Sequence, residues 1–363
     1  MMLLNDYRRM TRAEVGILVY VLLVTFRVCA MPAILSEGAG ESCFYVVMAG
    51  LGIDGLLTLL CLRVAAMGGL PAVAWPKPVK RILFGLLALL FLFKTTLRVY
   101  EVTDYCVNEL FDHATPLLLA VVLIVTSALL ATKGFVGVAR TGLMYAILVA
   151  FLAVLSVFYV EFGGYDYNLF ALLRPQGVGN GLLRSLVWMG DGLVFLLVDL
   201  RSADGVEKRY TWGVLSLLVV IIGMAAFYLN FVYTYGSAGQ YVRYAFVRML
   251  TNGDPDALGA LDWPVLLIWL SAVPLHLAAL FYAAMQSLHL SLTPDKPSVG
   301  VLYYTGSAVA VTVAYSLLFG DKDGFMRLIE SRAVSYALIA ACGLIAIAAV
   351  AAVATDRKRR KAV

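Results

Sequence analysis

Charged side chains are scarce in this chain. Asp, Glu, Lys and Arg make up 14% of its 363 residues, against about 25% in a soluble domain. Apolar residues account for 62%, and the mean hydropathy is +0.89. That balance excludes a soluble globule. The five cysteines lack metal-ligand spacing, and His113, His276 and His289 are scattered with no ligand partner nearby. No metal site is expected. The cysteines read as small buried packing residues, with a bridge between Cys43 and Cys106 as the alternative. Gly177, Gly179 and Gly181 follow Pro175 in a connection, not in a strand-to-helix turn, so neither a phosphate cradle nor a nucleotide cofactor is expected. No Ser/His/Asp or Cys/His set falls at one depth, which argues against catalysis. Low-complexity segments and an extramembrane domain are missing as well.

What the chain has in quantity is apolar runs of about 20 residues, the length of a membrane helix. They fall at 14–35, 42–67, 81–109, 116–132, 136–160, 182–200, 210–234, 262–290, 298–319 and 332–354. The expectation is therefore an all-α, polytopic membrane protein with ten transmembrane helices. The first run lacks a small-residue cleavage site and leads straight into a second, so it is not read as a signal peptide. Of 28 Lys and Arg, 18 fall at one set of span ends, about seven at the other and three inside spans. The positive-inside rule then places both termini in the cytoplasm, which requires an even number of spans. This bias accounts for the net charge of +5 without a nucleic-acid partner. The longest outer connection, Tyr235 to Leu261, carries an amphipathic stretch, Tyr241–Leu250, expected to form a short interfacial helix over the outer mouth. Three prolines make Met67–Val79 a non-helical turn. The basic tail, 355–363, should lie beside anionic membrane lipid.

Five spans (14–160), a long connection and five more (182–354) make one membrane domain with a 5+5 plan. An odd number per half means opposite insertion, the inverted repeat of many secondary transporters. Spans one and six, the first of each half, are both interrupted. Span one breaks at about Thr25-Phe26-Arg27-Val28-Cys29-Ala30-Met31-Pro32, and span six at Met189-Gly190-Asp191-Gly192. Lipid cannot satisfy the freed backbone groups, so such breaks belong inside the protein, lining a cavity. Paired breaks point to a ligand site near the bilayer midplane.

Charges inside the spans converge on the same place. Lys94, Arg98, Glu101 and Tyr105 are spaced by four, three and four, so they share one helix face. Lys94 lies 13 residues past Arg81, about 20 Å along the axis and near mid-depth. A charge there costs roughly 2.5–3.5 kcal/mol on insertion scales, so this face must turn to a cavity or a partner. With Arg27, Asp54 and Asp191, three cations and three anions fall within the bundle. They either pair internally, Lys94 with Asp54 or Asp191, or contact a ligand or carry a proton. The candidate ligand-binding residues are Thr25, Arg27, Lys94, Arg98, Trp188, Gly190, Asp191 and Gly192. A half-helix is expected to start at about Gly192–Leu193, its free N–H groups favouring a ligand carboxylate. Asp191 would then meet the ligand's ammonium or accept a proton.

Several short strings, in order over most of the chain, resemble the endospore germination permease family. Leu97-Arg98 and Glu101, with Thr115-Pro116 after them, are similar to that family's Leu-Arg-x-x-x-Glu helix end and its Thr-Pro before span four, with Glu101 one residue early. Gly134 with Ala139-Arg140 resembles the start of span five. Asn168-Leu169 and Pro175 resemble the loop before span six, and Leu261-Asp262 with Trp269 the start of span eight. The resemblance implies a ten-helix amino acid–polyamine–organocation fold with helices one and six unwound. It also implies a small amino-acid-like germinant bound between helices one, three, six and eight, receptor A and C subunits as partners, and a place in the spore inner membrane. The family usually carries small, glycine-rich sequence at the first break. Arg27, Val28 and Cys29 stand here instead, and such a cation would narrow the site or select an anionic group. A proton- or ion-coupled amino-acid permease of the same fold is the alternative reading.

Overall fold

The computed structural model describes residues 10–111, 114–145, 177–201, 206–245, 249, 262–293, 300–319 and 324–361. Every regular element among them is helical, and no strand occurs among the described residues. Helix α1 (Arg12–Val24) starts on a capping box. The Glu14 N–H donates to Thr11 Oγ1 at 3.3 Å, and the Thr11 N–H donates to the Glu14 carboxylate at 2.6 Å, which satisfies two otherwise orphaned amides. Winding is lost over 25–30 and resumes in α2 (Met31–Ala39), with Pro32 in its first turn. Next come α3 (Cys43–Ala66) and α4 (Lys77–Tyr105), which closes on a π turn at Cys106–Leu110. Helices α5 (Pro116–Ala131) and α6 (Gly134–Tyr145) meet at 110°. Helix α7 (Val178–Ser185) gives way to 3₁₀ turns at Leu186–Trp188 and Asp191–Leu197. Helices α8 (Val206–Tyr235), α9 (Asp262–Leu292), α10 (Val301–Phe319), α11 (Gly324–Glu330) and α12 (Arg332–Lys361) complete the order.

Six of these helices are long and apolar enough to cross a membrane: Cys43–Ala66, Lys77–Leu110, Glu207–Tyr235, Trp269–Leu292, Val301–Phe319 and Arg332–Thr355. Each coincides with an expected span. The remaining four spans are the two interrupted ones and the α5–α6 pair, of which 146–160 lie outside the described residues. The stretch 182–200 departs from a simple helix. It leaves α winding at Ser185, and its second half is a 3₁₀ turn of seven buried residues. A 3₁₀ run that long is unusual and marks a constrained segment.

Burial sorts the helices into a centre and a rim. In the most apolar window, 67% of Lys77–Leu110 and 72% of Trp269–Leu292 is buried, against 17% of Val301–Phe319 and 22% of Arg332–Thr355. Thus α4 and α9 run through the middle, while α10 and α12 present Leu302, Leu317, Ile339 and Ile347 outward. Exposed large apolar side chains on long helices suit lipid tails. Helices α1 and α8 approach closely because both are small at the contact: a Cβ on Gly16 would lie 2.5 Å from Ser216 Oγ. Cys43 and Cys106 are both buried and are not bridged to each other.

Of the expected interfacial helix at Tyr241–Leu250, only Tyr241–Ala245 and Met249 are described, and Arg243–Tyr244 form a turn. That turn is anchored to the end of α4. The Tyr244 hydroxyl donates to Asp104 Oδ2 at 2.7 Å, and Arg243 Nη2 lies 2.9 Å from the same oxygen. Burial and the Asp104 carboxylate push the Tyr244 phenol well above its ordinary range, keeping it a donor.

Candidate functional site

The two interruptions lie against the charged face of α4, and each is held by side chains from other helices. A helix that stops inside a protein leaves carbonyls and amides that need new partners. At the first break these come from α8, α9 and the connection that follows α8. Val21 O accepts from His276 Nδ1 at 2.9 Å, Thr25 O from Trp269 Nε1 at 2.7 Å, Arg27 O from the Tyr228 hydroxyl at 2.7 Å, and Cys29 O from the Ala245 N–H at 3.2 Å. Thr25 turns its own hydroxyl back onto Val21 O at 2.7 Å.

At the second break the donors are cations. Val187 O accepts from Arg98 Nη2 at 3.2 Å and from Lys94 Nζ at 3.4 Å. Trp188 O accepts from Arg27 Nη2 at 2.9 Å, and Met189 O accepts from Lys94 Nζ. Three consecutive carbonyls at the end of a helical segment thus meet three positive side chains, the favourable sense for that end. Gly190 has φ +84°, a left-handed conformation that suits glycine. Its N–H donates to Asp54 Oδ1 at 2.7 Å. A carboxylate therefore does sit at this amino end, but the chain supplies it. This amends the expected half-helix at Gly192–Leu193 with its free amides: a 3₁₀ turn begins at Asp191 instead.

The same cations close on the carboxylates. Arg27 pairs with Asp54. Lys94 Nζ lies 2.7 Å from Asp191 Oδ1, and Arg98 Nη2 lies 3.3 Å from Asp191 Oδ2. Arg98 Nη1 lies 3.2 Å from Glu101 Oε2, which also accepts from Trp188 Nε1 at 3.3 Å. The Arg98 guanidinium stacks over the Phe26 ring at 5.1 Å and the Trp188 ring at 5.9 Å. All six charged residues are at most 3% exposed. Three positive and three negative charges balance, the condition under which ions survive burial. Buried donors nonetheless remain without partners, Arg27 Nε and Arg98 Nε among them.

Of the eight candidate residues, Arg27, Lys94, Arg98, Trp188, Gly190 and Asp191 belong to this one network. Thr25 joins it through the first break. Gly192 stands apart and packs on α3, where an added Cβ would come within 2.1 Å of Thr58 Oγ1. Gly192→Ala is expected to destabilise the protein by about 1–3 kcal/mol through overpacking, read as a lower unfolding midpoint. Thr58→Ala in the same chain should recover part of the loss.

In the sequence His276 reads only as a scattered histidine with no metal-ligand partner; in the structure it is wholly buried with Nε2 at 3.5 Å from Asp191 Oδ2. Its ring meets Phe26 edge-on at 4.8 Å. The capping roles of Tyr228, Trp269 and Asp54 went unread. A titratable side chain two residues past Pro274, deep in an apolar span, was the available signal for His276. The rule that singled out Lys94 applies to it equally. Among the described residues, no group of three or more His, Cys, Asp or Glu could hold a metal ion.

Against known proteins, no family model matches this chain, and no curated protein matches it. Among solved structures it is similar to Mhp1, a nucleobase-cation-symport-1 family transporter, in a closed conformation with bromovinylhydantoin bound. The TM-score is 0.52 at 14% sequence identity, over 94% of this chain and 78% of that one. The likeness is one of fold. With the long apolar helices, it makes this chain a multi-pass membrane protein built like a transporter.

Proposed function

We propose that this chain binds a small amino-acid-like molecule between its two interrupted segments without converting it chemically. In this reading it is the membrane-embedded B-type subunit of a spore germinant receptor, signalling to A and C subunits in the spore inner membrane. The observation that carries ligand binding is the facing pair of breaks with a buried, charge-balanced cluster between them. The germinant role rests on the sequence resemblance. The proposal includes ten spans in two inverted halves and both termini in the cytoplasm. Arg27, Lys94 and Arg98 recognise the carboxylate, while Asp191 meets the ammonium by exchanging one of its present cationic partners. A second reading, a proton- or ion-coupled amino-acid permease, is supported by the transporter fold that spans nearly the whole chain.

The test is ligand-induced thermal stabilisation of the detergent-purified protein with the twenty standard amino acids. A true ligand at 100 times its Kd adds about 2.7 kcal/mol. The shift should fall by at least half in Asp191→Asn, and an undiminished shift counts against the site. Uptake of the same amino acid by proteoliposomes separates the readings: a permease accumulates it, a sensor does not.

A further inference from the structure

His276 sits where both interruptions can feel it. On one side its Nδ1 lies 2.9 Å from Val21 O, at the end of α1. A carbonyl only accepts, so Nδ1 carries the hydrogen and Nε2 of the neutral ring is a lone pair. On the other side Nε2 lies 3.5 Å from Asp191 Oδ2, within ion-pair reach but with no hydrogen bond formed. Two buried acceptors therefore face each other, an unfavourable contact that a single proton turns into an imidazolium–carboxylate pair.

The neighbours of this gap are few. Asp191 comes from the second break. Lys94 and Arg98 come from α4, where they hold the same carboxylate and oppose further positive charge. The first break contributes the Phe26 ring and the α1 end a backbone carbonyl. Without the extra proton, Arg27, Lys94 and Arg98 balance Asp54, Glu101 and Asp191. With it, the cluster carries one uncompensated positive charge.

We propose that the space between His276 Nε2 and Asp191 is a proton-binding site whose occupancy is coupled to an anionic group of the ligand. One proton enters from water and forms an N–H bond at Nε2, and no protein bond breaks. The surplus positive charge is offset when a ligand of net negative charge, such as an amino acid with a second carboxylate, binds with that carboxylate beside Lys94 and Arg98. By linkage, the ligand then raises proton affinity by the factor by which the proton raises ligand affinity. This rests on the ligand-binding reading above and names the co-bound ion.

Imidazole NMR on protein with isotope-labelled histidine tests the proton site without any ligand, His276→Gln assigning the resonance. The expected ring carries hydrogen on Nδ1 when neutral and becomes doubly protonated as the pH is lowered. At a fixed pH where both forms of the ring are seen, Asp191→Asn should cut the doubly protonated population about tenfold. If Asp191→Asn does not fold, Asp191→Glu serves, because it keeps the charge and moves the carboxylate relative to Nε2. A ring that stays singly protonated throughout, carries its hydrogen on Nε2, or is unmoved by the Asp191 variant overturns the proposal. Coupling is read as the concentration of L-glutamate or L-aspartate needed for half-maximal thermal stabilisation of the detergent-purified protein, which should fall at least several-fold as the pH is lowered in wild type and not in His276→Gln. Stabilisation by neutral amino acids alone, or a pH-independent value with normal titration, overturns the coupling and leaves the ligand reading intact. If none of the twenty amino acids stabilises the protein, the ligand reading fails, and the titration still decides the proton site.

Discussion

Lys94→Met should destabilise the protein by about 3–5 kcal/mol, the usual loss when one partner of a buried ion pair is removed. Methionine matches the shape of the lysine stem, so little of the loss is packing. Lys94 Nζ donates to Val187 O and Met189 O as well as to Asp191. The variant therefore strands the Met189 carbonyl, leaves Val187 O to Arg98 alone, and leaves Asp191 to Arg98 and His276. Unfolding in detergent, followed by temperature or denaturant, reads the effect. The double variant Lys94→Met/Asp191→Asn should recover a large part of it, because no charge is then left unbalanced. A double variant no better than the single one would mean that the pair contributes through its shape alone. The cycle separates a network that holds the helices together from cations needed only when ligand binds. In the second case Lys94→Met keeps its stability and loses ligand response.

Arg98→Lys is expected to cost about 1–3 kcal/mol for each buried bond it fails to remake, although charge is conserved. The guanidinium reaches Glu101 with Nη1 and both Asp191 and Val187 O with Nη2, while its face lies over Phe26 and Trp188. An ammonium is a single point that cannot span two carboxylates and stack at once. Arg98→Lys should lower the unfolding midpoint nearly as much as Arg98→Met, with Trp188 fluorescence changing because its indole N–H shares Glu101 with Arg98. If Arg98→Lys is as stable as wild type, the fork geometry is irrelevant and only the charge matters.

Much of the molecule was legible along the chain because its signals are local. A 20-residue apolar run needs no partner to be read, and six such runs are continuous helices. The lost winding at 25–30 and around Gly190 followed from charge, proline and glycine within a few residues. The shared face of Lys94, Arg98, Glu101 and Tyr105 followed from helical periodicity alone, and all four are buried. The choice of partners was not legible. Lys94 had two candidate carboxylates, and packing selected Asp191, which lies 97 positions away. Arg27 caps Trp188 O across 161 positions.

The sequence by itself determined a membrane protein of apolar helices, interrupted at two places, with more buried charge than lipid allows. Only the tertiary structure decided that His276 spans the two interruptions, that Asp54 accepts from the Gly190 amide, and that three cations face three carbonyls. The reason is physical. Winding and burial depend on neighbours in the chain, whereas an ion pair or a capped carbonyl depends on which helices pack together, and many different packings satisfy the same hydropathy.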